Sequence, residues 1–210
     1  MQIEEAFRIP VVEGGLVKLL IGAILNLIPI ANFFACGYLY DLTRNAINDN
    51  KEMPAWDDWG HKFVKGFLVF VIYLVYMLIP LIIFLTGGGA STTMVRGGTG
   101  FLAGDHALST LAGLFIGFIV PMALVHFAGT GNFGAAFSLR TIFAYIRAAL
   151  GSYIIVYILV IGLIFALMIL SLFPVAGWVV SVLGGFYVSC VGCLLFADVY
   201  RRAREAQERR

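Results

Sequence analysis

Three stretches of this chain contain no Asp, Glu, Lys or Arg: 66–95, 106–139 and 148–197. An α-helix rises about 1.5 Å per residue and the hydrocarbon layer of a bilayer is about 30 Å thick. About 20 consecutive apolar residues therefore suffice to cross it. The first two stretches each hold one such helix, and the third holds two with Pro174 near its middle. The spans expected are 63–85, 107–127, 148–172 and 175–198. Of the 210 residues, 61% are hydrophobic and 12% charged, where a soluble domain carries about 25% charged residues. The fold class expected is an all-α integral membrane protein, forming a single membrane domain over 1–210 with four full transmembrane helices.

The N-terminal region breaks this pattern. Ile3, Ala6 and Phe7 share one helical face beside the i,i+4 pair Glu4 and Arg8, and Pro10 follows. Residues 1–13 therefore read as an interfacial helix lying on the membrane. A further uncharged run, 19–40, is interrupted by Asn26, Pro29 and Asn32. It reads as a re-entrant hairpin of two half-length helices over 15–45, turning at Leu27-Ile28-Pro29-Ile30-Ala31-Asn32; the alternative is a fifth, kinked span. Arg8 and Lys18 precede the run while Arg44, Lys51, Lys62 and Lys65 follow it. A hairpin keeps all of them on one side, as the excess of cytoplasmic Lys and Arg requires.

The two ends of the chain also resemble one another. Each runs amphipathic segment, helix, proline turn, helix, Asp, Arg, with Leu27-Ile28-Pro29-Ile30-Ala31 matching Leu172-Phe173-Pro174-Val175-Ala176 and Asp41 matching Asp198. The second amphipathic segment, 132–147, sets Leu139, Ile142, Phe143 and Ile146 on one face and Arg140, Ala144 and Arg147 on the other. The polar stretch 46–62 is expected to be a cytoplasmic loop and 87–104 a glycine-rich external one. In the external loops Arg96 is the sole basic residue. The tail 199–210 carries five Arg against two Glu between Arg201 and Arg210, which places the C-terminus beside anionic lipid in the cytoplasm. No cleavable signal peptide is expected, because the chain opens on Glu4 and Glu5 rather than on a basic segment.

Gly177, Ser181, Gly185, Ser189, Cys193 and Ala197 recur every four residues in the last span, and Ser109, Gly113 and Gly117 do so in the second. Helices in lipid associate where small residues let backbones approach closely, so these ridges are expected to pack the bundle or to join an oligomer. The Cys190/Cys193 pair lies in apolar surroundings with no His nearby, which favours packing over metal binding. Asn26, Pro29 and Asn32 either line a pathway between half-helices or hydrogen-bond the broken backbone. His126 is expected to be a hydrogen-bonding residue near a span end, while Asp41 and Asp198 are expected to pair with Arg44 and Arg201. Trp56, Asp57, Asp58 and Trp59 form an aromatic-acidic contact loop at headgroup level. There is no H-E-x-x-H, no Ser-centred elbow, no phosphate-binding glycine loop and no carboxylate pair in an apolar run. An enzyme is not expected, and neither is a metal or other cofactor. A net charge of +2 gives no reason to expect a nucleic-acid partner.

Ala6-Phe7, Leu27-Ile28-Pro29-Ile30, Asn32, Gly37-Tyr38, Arg44 and above all Pro54-Ala55-Trp56-Asp57-Asp58-Trp59-Gly60, with Phe63 and Gly66, carry a family resemblance. Over residues 3–70 the chain resembles the prokaryotic domain-of-unknown-function family numbered four thousand and thirteen. That resemblance implies a multi-pass protein of a prokaryotic plasma membrane and supplies no activity. The function expected is a non-enzymatic scaffold or accessory subunit that assembles with itself or with other membrane proteins in the lipid bilayer. The alternative is a small channel or transporter with the proline turn as its pathway.

Overall fold

The computed structural model describes residues 3–12, 14–50, 52–86, 104–173 and 176–208. The glycine-rich loop 87–103 with Arg96, Lys51, Pro174 and the last two arginines lie outside the described residues. Among those described, the ordered elements are helical: α1 (Ile3–Arg8), α2 (Gly15–Leu27), α3 (Asn32–Ile47), α4 (Trp59–Thr86), α5 (Gly104–Thr130), a 3-10 turn (Phe133–Phe137), α6 (Leu139–Ala148), α7 (Leu150–Leu170) and α8 (Ala176–Glu208). Four helices are long and apolar enough to cross a membrane, over Trp59–Thr86, Ala107–Thr130, Leu150–Leu170 and Val179–Glu208. At 13 residues α2 is not one of them, since it reaches about 20 Å.

Several boundaries differ from the sequence expectation, each for a local reason. The first span begins at Trp59 rather than at 63 because Asp58 accepts the amide of His61 (3.3 Å) and so caps the helix. The amphipathic segment splits at Ser138, whose hydroxyl and amide both donate to the Ala135 carbonyl (2.6 and 3.1 Å). It then continues to Ala148, and α7 starts afresh two residues later. Residues 199–208 do not leave the bundle as a tail but extend α8 by nearly three turns. Asp198 pairs with Arg201 (3.1 Å) and Arg202 (2.9 Å), and Arg204 with Glu208 (2.9 Å), spacings of three and four that stabilise a helix.

Two compact units divide the chain, residues 1–70 with 122–210 and residues 71–121. In the first, α8 is the central element, packing against α1, α2, α3, α6 and α7. Fully buried Phe186, Val191, Leu194 and Ala197 make its inner face. The α2 helix turns Leu19, Gly22 and Ala23 inward and leaves Leu16, Leu20, Ile24 and Leu27 exposed. Gly22 lies on the Phe186 ring so closely that a methyl group there would overlap it. The short α1 is docked on α8: Ala6 is fully buried and Tyr187 donates its hydroxyl to the Phe7 carbonyl (2.9 Å). At the end of α5, Gly131 adopts a left-handed φ of 70° and returns its amide to the Phe127 carbonyl (2.8 Å), a C-terminal cap that glycine adopts without strain.

The second unit holds the second half of α4 and most of α5, with Pro80 and Pro121 inside the helices. Among its described residues Ile72, Tyr76, Ile116, Ile119 and Val120 are buried, while Leu78, Ile82, Leu111 and Leu114 are exposed.

Candidate functional site

Several residues that carry the family resemblance, Gly37, Tyr38, Trp56, Asp57, Asp58, Trp59, Phe63 and Gly66, meet at one end of the first unit. There α3 and α4 touch backbone to backbone. A Cβ atom on Gly66 would fall 2.7 Å from the Gly37 nitrogen and collide with the Phe33 carbonyl oxygen; one on Gly37 would collide with the Lys62 carbonyl. Phe33 then meets Phe63 and Phe67 edge-on, both at 5.6 Å between centroids. Such close approach is open only to residues without a side chain.

The contact brings Lys62 into the interior, where it is 3% exposed. A buried ammonium without counter-charge is strongly disfavoured, and two carboxylates supply it. Lys62 Nζ lies 3.2 Å from Asp41 of α3 and 3.2 Å from Asp57 of the loop, and it also donates to the Asp57 carbonyl (2.8 Å). The hydrogen bond from Lys62 holds the exposed Asp57 carboxyl below its ordinary value of 3.8. His61 approaches the other oxygen of Asp41 at 3.6 Å. Asp41 is thus taken up by α4 rather than by the Arg44 expected from the sequence.

A second set of bonds ties the loop to α2. Lys18 Nζ donates to the Met53 carbonyl (2.7 Å) and Trp56 Nε1 donates to the Lys18 carbonyl (3.1 Å). The Trp56 ring stacks on Tyr38 at 4.3 Å and 17°, and on Trp59 at 5.6 Å; Trp59 meets Phe34 edge-on. Loop 53–58 is therefore a clasp that joins α2, α3 and α4. Trp56, Asp57, Asp58 and Trp59 come together as the sequence grouped them. Asp58 serves as the helix cap, Trp56 is half-buried, and Asp57, Asp58 and Trp59 keep an exposed edge.

A polar cluster lies between α5, α6 and α8. The buried His126 Nδ1 is 3.0 Å from the Tyr200 hydroxyl, and the Tyr145 ring stands 5.4 Å from His126 and 4.9 Å from Tyr200. Nearby Asp198 holds Arg201, which also pairs with Asp49 at the end of α3.

The small residues of α8 do not share one environment. Successive steps of four advance about 40° around a helix, so six rungs sweep past half its circumference. Gly177 is pressed against the turn before it, where a Cβ would lie 2.7 Å from the Leu170 carbonyl oxygen. Ser181 and Ser189 donate their hydroxyls to Gly177 and Gly185. Gly185 has no neighbour within 4 Å of a Cβ position, Ser189 is exposed, Cys193 is half-buried and Ala197 is fully buried. In the second unit Gly113 is likewise open, and Gly117 is half-buried. At the α2–α3 turn Asn26 and Pro29 are exposed, while Asn32 Oδ1 accepts a weak bond from the Cys36 thiol (3.6 Å).

Residues 21–176 match the model of a family described as protein of unknown function (DUF4013). The chain belongs to this family. No curated protein and no solved structure matches it. The DUF4013 match runs well beyond residue 70, through α7 to the first residue of α8. It includes Gly37, Tyr38, Asp41, Trp56, Lys62 and Gly66 of the clasp, whereas Lys18 precedes it and the rest of α8 follows it.

Sequence reasoning missed Gly37, Gly66, Lys18 and Lys62 as members of this site. Neither glycine belongs to a four-residue repeat, and both lysines look like ordinary flanking cations. The signal that was present is Asp41, a carboxylate closing an uncharged run, which asks for a buried cation.

Proposed function

We propose that this DUF4013 chain is a non-enzymatic membrane scaffold or accessory subunit, built from four spans and a re-entrant α2–α3 hairpin with both termini in the cytoplasm. The observation that carries the scaffold reading is the open face of α8. The helix that organises the first unit leaves Gly185 without a neighbour and Ser189 exposed, at a level where a partner helix finds a small-residue groove. The ionisable side chains of the clasp and of the α8 end are meanwhile engaged with one another, which suits a structural role.

The re-entrant reading rests on depth and on charge. The charged loop holds the start of α2 through Lys18 and Trp56, and Lys62 of α4 links its Asp57 to Asp41 in the second half of α3. The turn between them points away from that layer. Phe33, just past the turn, packs on Phe63, Phe67 and Phe70, four to eleven residues or about 6–16 Å along α4, so the turn reaches into the hydrocarbon layer without the length to cross it. The turn residues Leu27, Ile28 and Ile30 are 47–70% exposed, as lipid contact favours. Placing the basic residues around α2, α3 and the end of α8 on the cytoplasmic side follows the positive-inside rule.

The test of assembly is Gly185→Leu, with native mass spectrometry of protein extracted gently from its own membrane. The substitution fills open space within the subunit, so the fold is kept and the assembled species is lost. An unchanged assembly state in a folded Gly185→Leu protein removes the α8 face as the contact. Gly177→Leu does not test the idea, because it strikes the subunit's own turn.

A further inference from the structure

The connection between α5 and α7 spans 131–149 and joins two membrane-crossing helices at the same end of the first unit. Within it, α6 packs against α8 and buries Ile142 and Ile146, and Tyr145 joins it to the His126–Tyr200 cluster. That anchoring sets the outward face. Arg140, Ala144 and Arg147 are exposed, and Leu139 and Leu150, at 47% and 45%, flank the two arginines. The sequence Leu139–Ala148 contains no acidic residue. Neither Arg140 nor Arg147 has an ion-pair or hydrogen-bond partner among the described residues, in contrast to Arg201, Arg202 and Arg204, each engaged by a carboxylate.

We propose that the outer face of α6 is a binding surface for anionic phospholipid headgroups, with the Arg140 and Arg147 guanidinium groups taking the phosphates and Leu139 and Leu150 entering the acyl region. Seven residues separate the arginines, about 10.5 Å along the helix, so they address adjacent headgroups rather than one point. A guanidinium matches a phosphate with paired donors, and a cationic helix with apolar flanks lies at the boundary between headgroups and chains. The absence of any carboxylate on the helix leaves the lipid as the counter-charge. The inference does not depend on the assembly proposed for α8.

The experiment is lipid retention by the full chain, released from nanodiscs of equimolar phosphatidylglycerol and phosphatidylcholine and weighed by native mass spectrometry. Wild type is expected to keep phosphatidylglycerol preferentially. Arg140→Gln with Arg147→Gln is expected to lose roughly 25-fold in that preference, about five-fold per arginine, and Arg140→Lys with Arg147→Lys to keep part of it. Arg204→Gln removes the same unit of charge from a cation already held by Glu208 and is expected to change retention little. Because a variant can misfold, the wild-type preference is also measured against salt, where it should fall steeply between low and high ionic strength. Equal retention of the two lipids by wild type overturns the proposal, as does a preference that survives the double Gln change or that Arg204→Gln reduces equally.

Discussion

The two ends of the chain share one order of parts, and they are held in place differently. At the N-terminal end α1 leads into α2 and α3, of 13 and 16 residues; at the C-terminal end α6 leads into α7 and α8, of 21 and 33. Only 11% of the apolar stretch of α7 is buried, against 44% for α8, so α7 is exposed over most of its surface. That end of the chain has local ties, the tight turn at Gly177 and ion pairs three and four residues apart within α8, beside the distant contacts that α8 makes through Phe186, Tyr187, Tyr200 and Arg201. The short pair instead depends on contacts far apart in sequence: Gly22 on Phe186, Gly37 on Gly66, Lys18 with Met53, Trp56 with Tyr38 and Lys62 with Asp41. A helix that crosses a bilayer is positioned by its two interfaces. On the proposed re-entrant reading the hairpin has an interface at one end alone, so specific packing has to set its depth.

The strongest way to break this comparison is Gly66→Leu. The new side chain has no space between α3 and α4, and overpacking of a well-packed contact costs about 1–3 kcal/mol or more. Here the obstacle is backbone, so a loss at or beyond the upper end is expected, read as a lower melting temperature in detergent. Gly162→Leu on α7, where a Cβ meets nothing within 4 Å, is the matched control and should be near neutral. Equal effects at the two glycines would mean that the short pair is no more contact-dependent than the long one.

Next in size is Lys62→Met. It leaves Asp41 and Asp57 without their shared amine, and removing one partner of a buried pair costs about 3 kcal/mol. The C-terminal counterpart, Arg204→Gln, breaks an exposed i,i+4 pair and should cost about 0.5 kcal/mol or less. Chemical unfolding of both variants gives the ratio directly, and similar losses would erase the distinction between distant and local ion pairing.

The smallest effect sharpens rather than breaks it. Because Lys62 lowers the Asp57 carboxyl in the folded state, that group's contribution is complete above the ordinary value of 3.8. It is lost as the pH falls through the lower folded value. Asp57→Asn should therefore lower stability slightly across the neutral range, and the two curves should converge below about pH 4 as the wild-type carboxyl protonates, leaving the variant with a flatter acid limb. A loss that persists undiminished at the acid end of the curve would mean that Asp57 does not act through its charge, leaving its backbone carbonyl, which Asn keeps, as the contact with Lys62.

The long charge-free runs determine the all-helical class of the fold and the four helices long and apolar enough to cross a membrane, because within a single segment only a helix satisfies its own backbone over such a length away from water. Pattern alone also locates the α2–α3 turn at Pro29, which follows from one breaker; of the apolar face read over α6, Ile142 and Ile146 are buried whereas Leu139 is exposed. The motif Pro54–Gly60 is visible as a unit, and the family match confirms that the resemblance reaches to residue 176. What the tertiary structure decided are the pairings across distance. Asp41 has Arg44 three residues away and yet meets Lys62, because the glycines of α3 and α4 bring that lysine inside. The six-rung ridge of α8 reads as a single stripe in sequence and winds through three environments in space. A spacing of four is regular along the chain but not commensurate with the helix turn, and only the neighbours of each rung settle which way it faces.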